Sequence, residues 1–150
     1  MILGTGHNHG LISLWDMNTQ EIAINLNTND AKDISKITFS ENGYYFASAA
    51  KGSNSVNLWD LRKQKIIREI KLPEKSLIEN IQFDNFGNSL GICADHSYIY
   101  NIKSSELISE IDPNLNCNYI KFDREMEYFM TTNYEGEILT NLIFNWIHLI

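Results

Sequence analysis

Several groups of side chains in this 150-residue sequence have the types and spacing to do chemistry. His7-Asn8-His9 offers two imidazoles to a metal ion, but it falls where a strand-connecting turn belongs, and no cysteine or carboxylate stands close by to complete a ligand set. Cys93, Asp95 and His96 supply the residue types of a nucleophile, an orienting acid and a base. Neighbours on one turn point in different directions, however, and a nucleophile must meet its base within hydrogen-bond reach. Asp95 reads instead as a turn former. Asp16 and Asp60 would suit paired-carboxylate glycoside chemistry, but they recur one repeat apart on equivalent strands, so a structural role explains both. Phe39, Tyr44, Tyr45, Phe46, Phe83, Tyr119, Phe122 and Phe129 could stack nucleobases; their strand-like positions favour core packing. The reading is a chain with no catalytic residue, no cofactor and no metal.

Composition supports this. Twelve Lys and Arg against 19 Asp and Glu give a formal charge of -7, whereas phosphate binding needs clustered cations, so direct nucleic-acid binding is not expected. Arg62, Lys63, Lys65, Arg68 and Lys71 form one basic stretch, read as a charged edge that discourages strand addition, with a partner's acidic surface as the alternative. Cys93 and Cys117 stand outside any C-x-x-C pair, so neither a disulfide framework nor a zinc site is expected, and a reducing compartment fits. The N-terminal MILGTGHNHG lacks the apolar run and basic flank of a signal peptide. The apolar stretch from Ile138 to Ile150 is shorter than the roughly 18 to 20 residues that cross a bilayer, so no membrane segment is expected.

These residues sit on a repeating unit. Leu14-Trp15-Asp16 returns as Leu58-Trp59-Asp60, a step of 44 residues from Trp15 to Trp59 and within the period of WD-type repeats. A second marker keeps the same phase: Phe39, Phe83 and Phe122 each end a short apolar segment before a turn. Further short runs, YYFASAA, NSLGICA and EYFMTT, lie between turn residues, and no stretch holds a helical period over 11 residues. With its two prolines, Pro73 and Pro113, between units, the chain reads as all-β: about three and a half four-stranded antiparallel blades of an incomplete WD-repeat β-propeller.

The boundaries follow from the markers. Residues 1–26 supply the last strands of one blade, 33–72 and 77–111 a blade each, and 116–142 three strands of a fourth, leaving 143–150 as an apolar tail. A closed ring needs at least four blades, roughly 170 residues at about 42 each. The expectation is therefore a fragment of a longer protein, or an incomplete gene model, whose other blades lie upstream. Alone, it should aggregate, self-associate or be partly unfolded, since its terminal blades expose strand edges and apolar faces.

FSENGYYFASAAKGSNSVNLWDLRK, from Phe39 to Lys63, resembles a blade of the pre-mRNA-processing factor nineteen family, the spliceosomal U-box ubiquitin ligases of the NineTeen complex. The likeness continues through Leu3-Gly4-Thr5-Gly6, Ile81-Gln82-Phe83-Asp84 and Tyr98-Ile99-Tyr100, and fades from about residue 133, where Asn141 takes the Trp slot. The resemblance implies a C-terminal propeller that recruits splicing factors or ubiquitylation substrates, a nuclear location, and roles in splicing and DNA repair. It also implies that the U-box, and the coiled coil that builds a homotetramer, lie outside this sequence. The competing reading is a WD-repeat scaffold unrelated to ubiquitin.

The sequence departs from the usual WD hydrogen-bond network. No Gly-His precedes the inner strands, and the turn Asp is replaced by His9 and Asn54 in the first two blades. Asp95 keeps that place in the third, where Tyr100 replaces Trp, so these blades are expected to lean on apolar packing. Trp15, Asp16, Phe39, Trp59, Asp60, Phe83, Asp95 and Phe122 are the structural markers of the repeat. For partner binding, the charged connections around Asp30, Lys32 and Asp33, and around Glu74 and Lys75, are the candidates, because rigid blades present variable loops.

Overall fold

Segments with alternating apolar side chains become strands that bury one face, and the Gly-, Asn- and Asp-rich stretches between them become turns. The computed structural model describes residues 1–28, 31–74, 76–111, 116–125 and 127–143. The tail from 144 to 150 lies outside them. Apart from one 3-10 turn at Asn8–Gly10, the regular elements among the described residues are all strands.

The first sheet holds β1 (Ile2–Gly6), β2 (Leu11–Asp16) and β3 (Glu21–Asn27). The second holds β4 (Ile34–Phe39), β5 (Tyr45–Ala50), β6 (Ser55–Asp60) and β7 (Lys65–Lys71). The third holds β8 (Asn80–Phe83), β9 (Ser89–Cys93), β10 (Ser97–Asn101) and β11 (Leu107–Ile111). The fourth holds β12 (Cys117–Phe122), β13 (Tyr128–Asn133) and β14 (Ile138–Leu142). Every pairing is antiparallel and joins strands consecutive in sequence.

Register makes the sheets equivalent. Trp59 pairs with Phe46, Trp15 with Leu3, Tyr100 with Leu90 and Asn141 with Phe129. β1 therefore corresponds to β5, the second strand of a blade. Among the described residues the first sheet lacks an innermost strand and the fourth an outermost one.

The core lies between blades rather than inside any of them. Ile12, Leu14, Phe46 and Trp59 pack the first blade on the second; Ala47, Leu58, Phe83 and Leu90 the second on the third; Ile99, Ile120, Phe122 and Phe129 the third on the fourth. Burying each of the leucine, isoleucine and phenylalanine side chains contributes roughly 1.5–3 kcal/mol. One contact repeats. Gly4, Ala47 and Gly91 hold the same register position, opposite Leu14, Leu58 and Ile99. A Cβ on Gly4 would lie 3.0 Å from the Phe39 ring, and one on Gly91 would lie 3.0 Å from the Phe122 ring. Ala47 shares a core cluster with Phe83. Each of the first three blades thus offers a small residue where the next blade inserts its inner-strand phenylalanine.

The expectation of unpaired cysteines is corrected. Cys93 at the end of β9 and Cys117 at the start of β12 are joined as a disulfide, with Cα atoms 5.1 Å apart. Blade stacking brings together two positions 24 residues apart that sequence spacing had kept separate.

Candidate interaction surface

The two Asp residues of the Trp-Asp markers hold turns. Asp16 Oδ1 accepts the Asn18 N–H at 2.8 Å, and Asp60 Oδ1 accepts the N–H groups of Arg62 and Lys63 at 2.9 and 3.0 Å. Asn101 Oδ1 does the same for Lys103 and Ser104. Four residues after each of the three, Gln20, Gln64 and Ser105 take left-handed backbone. The N–H of Lys63, with those of Arg62 and the nearby cations, holds the Asp60 carboxyl below its ordinary range against the opposing effect of burial.

His96 lies between two carboxylates, 2.9 Å from Glu110 Oε1 and 3.8 Å from Asp95 Oδ2, and its ring stacks on Tyr98. The nearby cysteine sulfur is bonded to Cys117 and so is not a free thiol. His7 and His9 gather no further ligands: among the described residues no group of three or more His, Cys, Asp or Glu is placed to hold a metal ion.

Part of the polar network survives. Trp59 Nε1 donates to Ser48 Oγ at 2.9 Å with both residues buried, and Trp15 Nε1 donates to Thr5 Oγ1 at 3.0 Å. Thr5 and Ser48 hold equivalent places on β1 and β5, one residue after the small position. A hydroxyl at that place is the signal the sequence reading passed over, so apolar packing is not the whole account. Asn141, in the Trp register, leaves its buried Nδ2 without a hydrogen-bond partner among the described residues.

Two rims result. The lower rim carries the β4–β5, β8–β9 and β12–β13 turns. In these, the N–H groups of Ser40, Asp84 and Asp123 donate to the carbonyls of Tyr45, Ser89 and Tyr128, each at 3.0 Å. Asn42 Nδ2 reaches the Phe86 carbonyl of the next blade at 3.2 Å, and Asn85 Nδ2 reaches that of Asp123 at 3.2 Å. Phe86 is exposed there, beside Arg124, Glu41 and Glu125. Burial pushes the Asp84 carboxyl up, against N–H donors from Ser89, Asn88 and Gly87.

The upper rim carries the β3–β4, β5–β6, β7–β8 and β9–β10 connections. Of the predicted partner residues, Lys32 and Glu74 line one hollow of about 670 Å³ with Asn54, Glu69 and Lys71. Asp33 turns back, accepting the His9 N–H at 3.4 Å. Asp30 and Lys75 lie outside the described residues. Trp15, Trp59, Phe39, Phe83 and Phe122 hold the strand positions just given, and Asp95 sits in the β9–β10 turn, accepting the His96 N–H at 3.0 Å. The basic stretch is partly paired: Arg62 and Lys63 both lie 3.8 Å from the one carboxylate of Asp60, and Lys71 lies 3.3 Å from Glu69. Arg62 also lies over the Tyr44 ring at 4.7 Å.

Stacked antiparallel modules of three or four strands, with turns carrying charge on both rims and Trp-Asp at the end of the third strand in the first two blades, define a WD-repeat β-propeller segment. A solved structure bears out the class: the β-propeller domain of Myceliophteria_thermophila Cps50 (Swd1) matches with a TM-score of 0.81 at 18% identity, over 94% of this chain and 48% of that one. Within the class, the sequence is similar to pre-mRNA-processing factor 19, as its FSENGYY and SVNLWDLRK segments lead one to expect. The homolog 2 from Arabidopsis thaliana is 30% identical over 135 residues, which is 85% of this chain and 25% of the relative. The Oryza sativa protein is 32% identical over 71% of this chain and 20% of the relative, and the Dictyostelium discoideum protein 28% over 97% and 29%. A retinoblastoma-binding protein 5 homolog from Drosophila melanogaster is 25% identical over 92% of this chain and 28% of its own length. The chain thus spans between a fifth and three tenths of these curated relatives. No family model matches it.

Proposed function

We propose that this chain is the protein-recruiting propeller segment of a spliceosome-associated protein acting in pre-mRNA splicing. The supporting observation is similarity to three pre-mRNA-processing factor 19 proteins at 28–32% identity over 71–97% of the chain. The charged connections of the upper rim at Lys32 and Glu74 are the proposed contacts, since rigid blades hold them in place. For the whole protein, the same reading carries U-box ubiquitin ligase activity, assembly as a homotetramer, a nuclear location and a part in DNA repair. In this reading, ligase chemistry resides in residues beyond this sequence, and the propeller chooses the partners.

The test is retrieval of the tagged protein from its own cells, with sequencing of the RNA that accompanies it. Enrichment of spliceosomal small nuclear RNAs is expected. Their absence, in an extract from which a core splicing protein does retrieve them, would overturn the assignment.

A WD-repeat scaffold unrelated to ubiquitin is the second reading, favoured by the similarity to the retinoblastoma-binding protein 5 homolog at 25% identity. A gene whose flanking exons encode further blades but neither a U-box nor a coiled coil would decide for it.

A further inference from the structure

The connection between β7 and β8 holds an apolar side chain out in water on a fixed mount. Ser76 and Ile78 are 0% and 5% exposed, while Leu77 between them is 53% exposed. The Ile78 N–H donates to Ser53 O at 3.2 Å, the Ser76 N–H to Pro73 O at 3.0 Å and the Glu79 N–H to Cys93 O at 2.9 Å. Leu77 is therefore displayed by an anchored backbone, which leaves its hydrophobic transfer energy available to a partner.

Two adjoining hollows, of about 390 and 280 Å³, share Leu77 and Glu79. The first is also lined by Lys36 and Lys51 at the mouth of the second blade. The second is lined by Asp95 and by Tyr134, which is 68% exposed. Among the described residues, no carboxylate lies within ion-pair reach of Lys36 or Lys51. Glu79 lies beside Tyr134 of the fourth blade, and its carboxylate holds the Tyr134 phenol above the ordinary range. The groove has Lys36 and Lys51 at one end, Leu77 and Glu79 in the middle, and Asp95 and Tyr134 at the other.

We propose that this groove docks an extended peptide segment of a partner protein, with side chains in the order acidic, apolar, basic. The acidic group meets Lys36 and Lys51, the apolar side chain packs on Leu77 and Tyr134, and the cation meets Glu79 and Asp95. The inference rests on the recruitment reading above and names the chemistry of the segment recruited.

The test uses the 150-residue chain tethered at low density, with nine-residue peptides carrying Asp-Asp, Leu and Arg-Arg in that order, the reversed charge order, and a scramble. The expected result is about tenfold tighter binding of the first peptide than of either other, lost in Leu77→Asp and weakened in Leu77→Ser. In the double variant Lys36→Glu/Lys51→Glu that preference should disappear. The circular dichroism spectrum of each variant checks its fold. Equal binding of all three peptides, no measurable binding, or binding indifferent to Leu77→Ser would overturn the proposal. So would self-association of the chain abolished by Leu77→Asp, since the occupant would then be a second copy. If peptide binding fails while tagged protein carrying Leu77→Asp still retrieves small nuclear RNAs, the groove falls and the recruitment reading stands.

Discussion

Trp59 and Trp15 occupy one register position but differ in what they hold. The Trp59–Ser48 bond is buried, so replacing the indole strands a hydroxyl away from water, whereas Trp15 and Thr5 are only partly buried. Trp59→Phe should cost about 1–2 kcal/mol in denaturant melts and Trp15→Phe less than half as much; equal losses would remove the argument. The Asp pair titrates in opposite senses. Asp60, held below its ordinary 3.8, stabilises the fold above that value, and the contribution is lost as pH falls through the depressed folded value. Asp84, pushed above 3.8 by burial, disfavours the fold while ionised, and this is relieved as pH falls through its raised folded value. Asp84→Asn keeps an oxygen for the Asn88 N–H, so its thermal melt relative to the parent should be most favourable at pH 7 and less so near pH 4. A difference that does not change with pH would show that desolvation of Asp84 is unimportant. The markers Trp15, Asp16, Trp59 and Asp60 were legible because turn chemistry and strand ends leave a local signature. Ser48 was not, because its meaning lies in a partner 11 residues away on the neighbouring strand.

At the level of strands and turns, alternating apolar residues and recurring phenylalanines placed the sheets, since period-two burial is written locally. The recess at Gly4, Ala47 and Gly91 was not legible. Glycine inside a strand ordinarily weakens it, and only the ring arriving from the adjacent blade explains the choice. Gly91→Val would drive a side chain into Ile120 Cδ1, which lies 2.7 Å from a Cβ there, and into the Phe122 ring. A loss of about 1–3 kcal/mol is expected, measured by equilibrium unfolding, with Gly91→Ala milder. A Gly91→Val chain as stable as the parent would mean that the blades separate freely at this seam. The Cys93–Cys117 link escaped for a related reason: the two residues belong to different blades, and their spacing matches no local motif.

For the molecule as a whole, the exposed apolar side chains on the outer face of the fourth blade decide behaviour in solution. Tyr119, Tyr128, Met130, Ile138 and Leu142 stay exposed there, and β1 and β14 each present an unpaired edge among the described residues. The 150-residue chain alone should therefore self-associate, seen as a concentration-dependent sedimentation coefficient that added salt does not reverse. A monodisperse monomer at high concentration would contradict this. Propeller class was legible from repeat spacing. The identity of a recruited partner was not, because rim residues such as Leu77 and Lys51 carry no periodic signature and acquire meaning only when separate connections converge.

Phenylalanine on one side and a small residue on the other also give the second and third blades the makings of a duplicable cassette. A tandem copy of the second blade brings its own ring, Phe39, and its own gap, Ala47, so it can be spliced beside itself without redesign. The fourth blade breaks that grammar, since Met130 pairs with Thr140 at the position where the other blades keep Gly or Ala. Lengthening by duplication would stall at a thioether there until residue 130 shrank.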